Sequence, residues 1–108
     1  MIHLVPVSKR LPEIPAIRAL YREAFPPEEQ APFWLLMRKT TLPMTDFWAF
    51  YEQETWVGFA YVIQNETLAY LFYLAIAPEQ RGKGYGHQAM ACLKEQYASK
   101  TLFLSLET

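Results

Sequence analysis

Between residues 46 and 77 the hydrophobic pattern has a period of two, broken twice by very short turns. Phe47 to Tyr51 reads as one strand, Gln53-Glu54 as a turn and Thr55 to Gln64 as a second strand. Asn65-Glu66 is another turn, and Thr67 to Ala77 is the third strand. In the middle strand Val57, Phe59, Tyr61 and Ile63 alternate with Trp56, Gly58, Ala60 and Val62. Connections this short leave no room for a crossover, so each strand must pair antiparallel with the one before it. The rest of the chain has to pack around this three-stranded meander.

Ahead of the meander, Ile2, Leu4 and Val5-Pro6-Val7 read as a short strand. Pro12 and Pro15 open a helix, where a missing N–H costs nothing. Ile14, Ile17, Ala19-Leu20, Ala24 and Phe25 fall near one face of it, and Pro26-Pro27 stops it. Glu28 and Glu29 are read as the start of a second helix, their charges complementing its dipole. Phe33-Trp34-Leu35-Leu36-Met37 is its buried side, Arg38-Lys39 lie near its end, and Leu42 to Thr45 form a loop. After the meander a helix running to about Lys100 carries Met90, Leu93 and Tyr97, and Thr101 to Leu106 is a last strand. A strand–helix–strand crossover sets that strand parallel to Leu68–Ala77. The expected fold is a single α+β domain over residues 1–108 with a mixed sheet, in the order strand, two helices, three antiparallel strands, helix, strand.

Composition removes several functional classes. The 108 residues are 52% hydrophobic and 16% aromatic, ample for a packed core. A net charge of −1 supplies no general attraction to nucleic acid or to an anionic membrane. The longest apolar run, Leu68 to Ala77, is about half of the ~20 residues a membrane helix needs. Cys92, the single cysteine, has no partner for an internal disulfide, which points to a reducing, cytoplasmic compartment. No metal-ligand spacing is present, so no metal is expected.

The chemistry is concentrated in Gln80-Arg81-Gly82-Lys83-Gly84-Tyr85-Gly86, between the third meander strand and the following helix. Glycines at alternate positions leave backbone N–H groups uncovered at a helix start, which suits a phosphate or pyrophosphate. A P-loop is excluded because Lys83 lies between glycines and no hydroxyl follows it. A dinucleotide fingerprint is excluded by the spacing and by the antiparallel strand that precedes it. What remains is the pattern [QR]-x-x-G-x-[GA], met by Arg81 to Gly86.

With its flanks, Leu74-Ala75-Ile76-Ala77-Pro78-Glu79 before and an Ala/Met/Leu-rich helix and Leu-rich strand after, this text resembles the GNAT superfamily of N-acetyltransferases. The element order resembles that family from residue 1 to about 107. Tyr21 to Glu29 is also similar to a group of small bacterial GNAT proteins. The resemblance implies acetyl-CoA as cosubstrate and an amine as acceptor, with the acetyl group transferred by direct attack. It implies that the amides of Arg81, Gly82, Lys83, Gly84, Tyr85 and Gly86 hold the pyrophosphate; His87, on the first turn of the helix, is a separate candidate beside the phosphate, the alternative reading being an exposed helix histidine. It implies that the backbone of Leu74, Ala75 and Ile76 pairs with the pantetheine arm where the two parallel strands splay apart.

No base carries over in the same way. Some family members have Glu where this chain has Tyr70, and tyrosine is a poor base at neutral pH. Tyr70, Phe72 and Tyr73 are read as core or cleft-wall aromatics. Glu107, at the end of the last strand, is the candidate base. Glu23 and Glu28 are read as helix-terminal charges, His3 as a strand residue and Cys92 as a packing residue. The family's domain continues with a further helix and two strands, which this chain is expected to lack. The edge at Leu102, Phe103 and Leu104 is then expected to pair with a second copy. A non-catalytic CoA-binding or self-assembling module is the rival reading.

Overall fold

The computed structural model describes residues 1–40 and 42–104. Its elements are β1 (Ile2–Pro6), α1 (Ile14–Ala24), α2 (Phe33–Lys39), β2 (Thr45–Glu52), β3 (Thr55–Gln64), β4 (Leu68–Ile76), α3 (Tyr85–Gln96) and β5 (Thr101–Leu104). Short 3-10 turns cover Pro27–Glu29 and Pro78–Gln80. The five strands form one sheet in sequence order, antiparallel from β1 to β4 and parallel between β4 and β5. This is the expected mixed α+β architecture.

The helices lie on opposite faces of the sheet. Ile17, Leu20 and Tyr21 of α1 and Phe33 and Leu36 of α2 pack with Phe47, Phe59 and Tyr61. Ala89 and Leu93 of α3, with Tyr97, pack with Phe50, Val62 and Leu71 on the other side. Both faces of β3 are therefore buried, and its two alternating sets of apolar side chains divide between the two cores. Val57 departs from its expected partners. It has no opposite residue between Phe50↔Gly58 and Tyr51↔Trp56, and this bulge turns it to the α3 face.

Three boundaries differ from the sequence reading. Glu28 and Glu29 sit in the 3-10 turn and not in α2, which starts only at Phe33. Pro32 is the reason, because it disfavours helical backbone at the residue before it. Gln30 instead closes α1, its Nε2 donating to the carbonyls of Phe25 (2.6 Å) and Arg22 (3.2 Å). At the other end α3 stops at Gln96, short of Lys100, and β2 begins at Thr45.

A polar cluster ties the end of α3 to the meander. The buried Tyr97 hydroxyl accepts from Trp48 Nε1 (2.9 Å) and donates to Asp46 Oδ2 (2.5 Å). Gln64 Nε2 donates to the same carboxylate oxygen at 2.6 Å. Burial, and then the bond to Asp46, push the Tyr97 phenol above its ordinary range. On the opposite face Tyr21 and Tyr73 hold the α1–α2 connection down. Their rings meet edge-on at 5.0 Å, and their hydroxyls donate to the carbonyls of Ala31 and Glu29, each at 2.7 Å.

Candidate functional site

The direction of the β4 peptide groups follows from one hydrogen bond. Ala77 N donates to Val57 O at 2.8 Å, immediately beyond the Gly58↔Ile76 pair. In an antiparallel ladder, bonded and non-bonded pairs alternate. Phe59↔Ala75 is then bonded across to β3, while Leu74 and Ile76 direct their N–H and C=O groups away from it, toward β5. Among the described residues β5 meets β4 only from Leu68↔Thr101 to Leu71↔Leu104. The edge of β4 from Phe72 to Ile76 therefore lies beyond those described rungs.

Close packing behind this edge depends on Gly58. A Cβ there would lie 2.3 Å from the Ala75 carbonyl oxygen and 3.1 Å from the Ile76 Cα. A glycine inside a strand is the sequence sign of such an approach, yet the sequence reading gave Gly58 no role in the site.

Beyond Ile76 the chain makes the Pro78–Gln80 turn and reaches the glycines. Gly82 and Gly84 have φ of 80° and 82°, a left-handed backbone that glycine adopts at little cost. The first helical bond of α3 runs from Gln88 N to Gly84 O at 3.1 Å. The amides of Tyr85, Gly86 and His87 precede it, at the positive end of the helix dipole. A Cβ on Gly82, Gly84 or Gly86 would meet no atom within 4 Å.

These parts enclose a hollow of about 420 Å³. Leu74, Ala75 and Ile76 supply one wall, and Arg81, Gly82, Gly84, Tyr85 and Gly86, with Gln80, supply another. Ala24 and Phe25, at the end of α1, complete it. Lys83 and His87 are exposed and outside its lining, and Lys83 Nζ donates to Gln80 Oε1 at 3.2 Å. Arg81 closes the corner, its Nε donating to Ile76 O (3.0 Å) and its Nη2 lying 3.5 Å from Glu23 Oε1. Phe25, whose ring meets Tyr73 at 4.9 Å, was read only as a face of α1. Its place in the wall depends on the Pro26-Pro27 corner, which local periodicity does not reveal.

The other candidates separate from this hollow. Glu107 lies outside the described residues. Glu28 is exposed in its 3-10 turn, and His3 is exposed on β1, stacked near Tyr51. Cys92 Sγ lies 3.5 Å from Ile2 O, and burial raises its thiol pKa, so it is no ready nucleophile. Tyr73 is packed against the core, whereas Tyr70 and Phe72 are about 40% exposed and line a second hollow. Among the described residues no cluster of His, Cys, Asp and Glu could hold a metal, and no helix is long and apolar enough to cross a membrane.

An extended amide chain can bond to the edge of β4, and a diphosphate to the amides of the loop. The family model of Acetyltransferase (GNAT) family matches residues 14–108. A Bacteroides thetaiotaomicron protein described as a GNAT-family acetyltransferase superposes with a TM-score of 0.85 at 22% identity, over 98% of this chain and 61% of its own. An aminoglycoside 6'-N-acetyltransferase solved with coenzyme A gives 0.71 at 22%, over 94% and 60%. The ribosomal-protein-S18-alanine N-acetyltransferase of Escherichia coli gives 0.71 at 17%, over 96% and 66%. The chain thus spans about three-fifths of the length of the first two. Comparison of the sequence with curated proteins found no match.

Proposed function

The chain belongs to the GNAT acetyltransferase family, and on that premise we propose that it transfers acetyl from acetyl-CoA to an amine by direct attack. What carries this reading is the pair formed by the β4 edge and the glycine loop in one hollow. The amides of Tyr85 and Gly86, with those of the loop from Arg81 to Gly84, hold the pyrophosphate, and His87 and Lys83 add donors at its margin. The outward peptide groups of Leu74 and Ile76 bond the pantetheine arm as a neighbouring strand would, with Ala75 between them. The four steps along the strand from Phe72 to Ile76 span about 13 Å, so the thioester comes to lie near Phe72. There the amine nitrogen forms a bond to the acetyl carbon, the carbon–sulfur bond breaks, and the nitrogen gives up a proton as the thiolate gains one.

The proton acceptor in this scheme is Glu107, three residues past the last described residue of β5. The protein acts in the cytoplasm, and the edge of β5 pairs two copies. A monomer in sedimentation at high concentration would remove the dimer from the scheme.

Titration calorimetry with acetyl-CoA, followed by thiol release with a panel of amines, tests the central reading. Saturating heat is expected, with a higher melting temperature by the stabilisation that any native-state ligand confers. Glu107→Gln should lower kcat at least about a hundredfold, in the range typical of general-base removal, with the affinity for acetyl-CoA unchanged. No heat and no thermal shift at millimolar ligand defeats the proposal. Binding without turnover supports the second reading, a non-catalytic CoA-binding module. That reading is favoured by one observation, that no carboxylate or histidine lines either hollow beside β4 among the described residues.

A further inference from the structure

The two hollows follow one another along β4. Residues 74–76 line the first, while Leu68, Tyr70 and Phe72 line the second, of about 350 Å³, with Phe103 of β5, Met44 and Ile63. Phe72 stands at the boundary. It has no opposite residue between Tyr61↔Tyr73 and Val62↔Leu71, and this bulge falls one residue past the last described β4–β5 rung. Taking the reading above as its premise, the transferable group is delivered at that boundary, and the second hollow is the surface next to it. We propose that this hollow seats the acceptor, and that the acceptor is an amine carried on an aromatic or flat apolar group.

The chemistry of the wall carries the choice. Five large apolar side chains are left exposed on this one patch: Met44 (58%), Leu68 (40%), Tyr70 (39%), Phe72 (41%) and Phe103 (46%). An apolar patch of this kind marks a contact surface. Tyr70 and Phe72 present adjoining rings, 4.6 Å apart and inclined at 50°. Its polar members are largely committed elsewhere, for Gln64 Nε2 bonds Asp46 and Asn65 Oδ1 accepts from the amides of Thr67 and Leu68. No carboxylate lines the hollow among the described residues. Beyond the single carboxylate that the scheme assigns to Glu107, the several ammonium groups of a polycationic sugar or polyamine would find no counter-charge in this lining. A single ring would cover the apolar wall, and the rings of Tyr70 and Phe72 would face its ammonium before deprotonation. The volume suits a ligand of one ring or two at most.

The test measures thiol release by the 108-residue chain with acetyl-CoA and four acceptors: phenethylamine, tryptamine, spermidine and kanamycin. The expected kcat/KM is at least about tenfold higher for the two aromatic amines, a difference near 1.4 kcal/mol. Tyr70→Ala and Phe72→Ala should remove that preference mainly by raising KM, and Tyr70→Ala, which lies away from the thioester, should leave calorimetric affinity for acetyl-CoA unchanged. If CoA binds and no amine turns over, phenethylamine should still shift the ring resonances of Tyr70 and Phe72 in the CoA complex. Equal or better rates with kanamycin or spermidine, or no shift in the silent case, overturns the acceptor assignment and leaves CoA binding standing. Failure to bind CoA at all overturns both. If Phe72→Ala splits a dimer seen in sedimentation, the patch belongs to a second copy and the assignment falls.

Discussion

Gly86→Val is expected to weaken acetyl-CoA binding by about a hundredfold, or roughly 2.7 kcal/mol, while the protein melts at nearly its original temperature. The two effects separate because of where Gly86 stands. Its backbone is outside the left-handed region and open space surrounds a Cβ built there. It also lies in the first turn of α3, where glycine is the weaker helix former, so the cost to the fold is within about 0.5 kcal/mol of zero. The same side chain would stand in the hollow to which the proposed function assigns the diphosphate. Gly84→Ala provides the contrast. With φ of 82° at the start of α3 it should cost about 1–2 kcal/mol of stability from backbone strain alone. Calorimetry and thermal melting of both variants check this, and unchanged affinity in Gly86→Val would mean that the amides do not hold the ligand.

Gly58→Ala should be the more damaging change to the fold. The added carbon would sit 2.3 Å from a backbone oxygen, which cannot rotate away as a side chain could. β3 and β4 would have to separate, at a cost of about 2–4 kcal/mol, lowering the melting temperature by roughly 10 °C or more. Because the clash falls on Ala75 and Ile76, whatever folded protein remains should also bind acetyl-CoA less well. A melting temperature within about 2 °C of the parent would show that the strands can adjust freely.

The meander and the glycine loop were legible in the sequence because both are local. Two short turns impose antiparallel pairing, and glycines beside a helix start impose uncovered amides. What escaped was set by distant pairs. The bulge that moves Val57 to the α3 face depends on its register against Tyr51, and the exposure of Tyr70 and Phe72 depends on where β5 ends its described pairing. The delayed start of α2 was within reach, since Pro32 forbids an earlier one, but two acids in a row were the louder signal. Phe25 entered the wall of the hollow through a corner that no period predicts.

The N-terminal strand has a consequence for how the chain reaches this state. β1 pairs with residues 48–52, and Ile2 N donates across the molecule to Gln88 Oε1 at 3.1 Å, while Cys92 Sγ lies against Ile2 O. The Ile2–Gln88 contact of β1 with α3 thus joins residues 86 apart in sequence. Contacts of such long sequence separation delay the gain that repays loop closure. β1 and the helix that follows the glycine loop are therefore expected to become ordered together, late in folding.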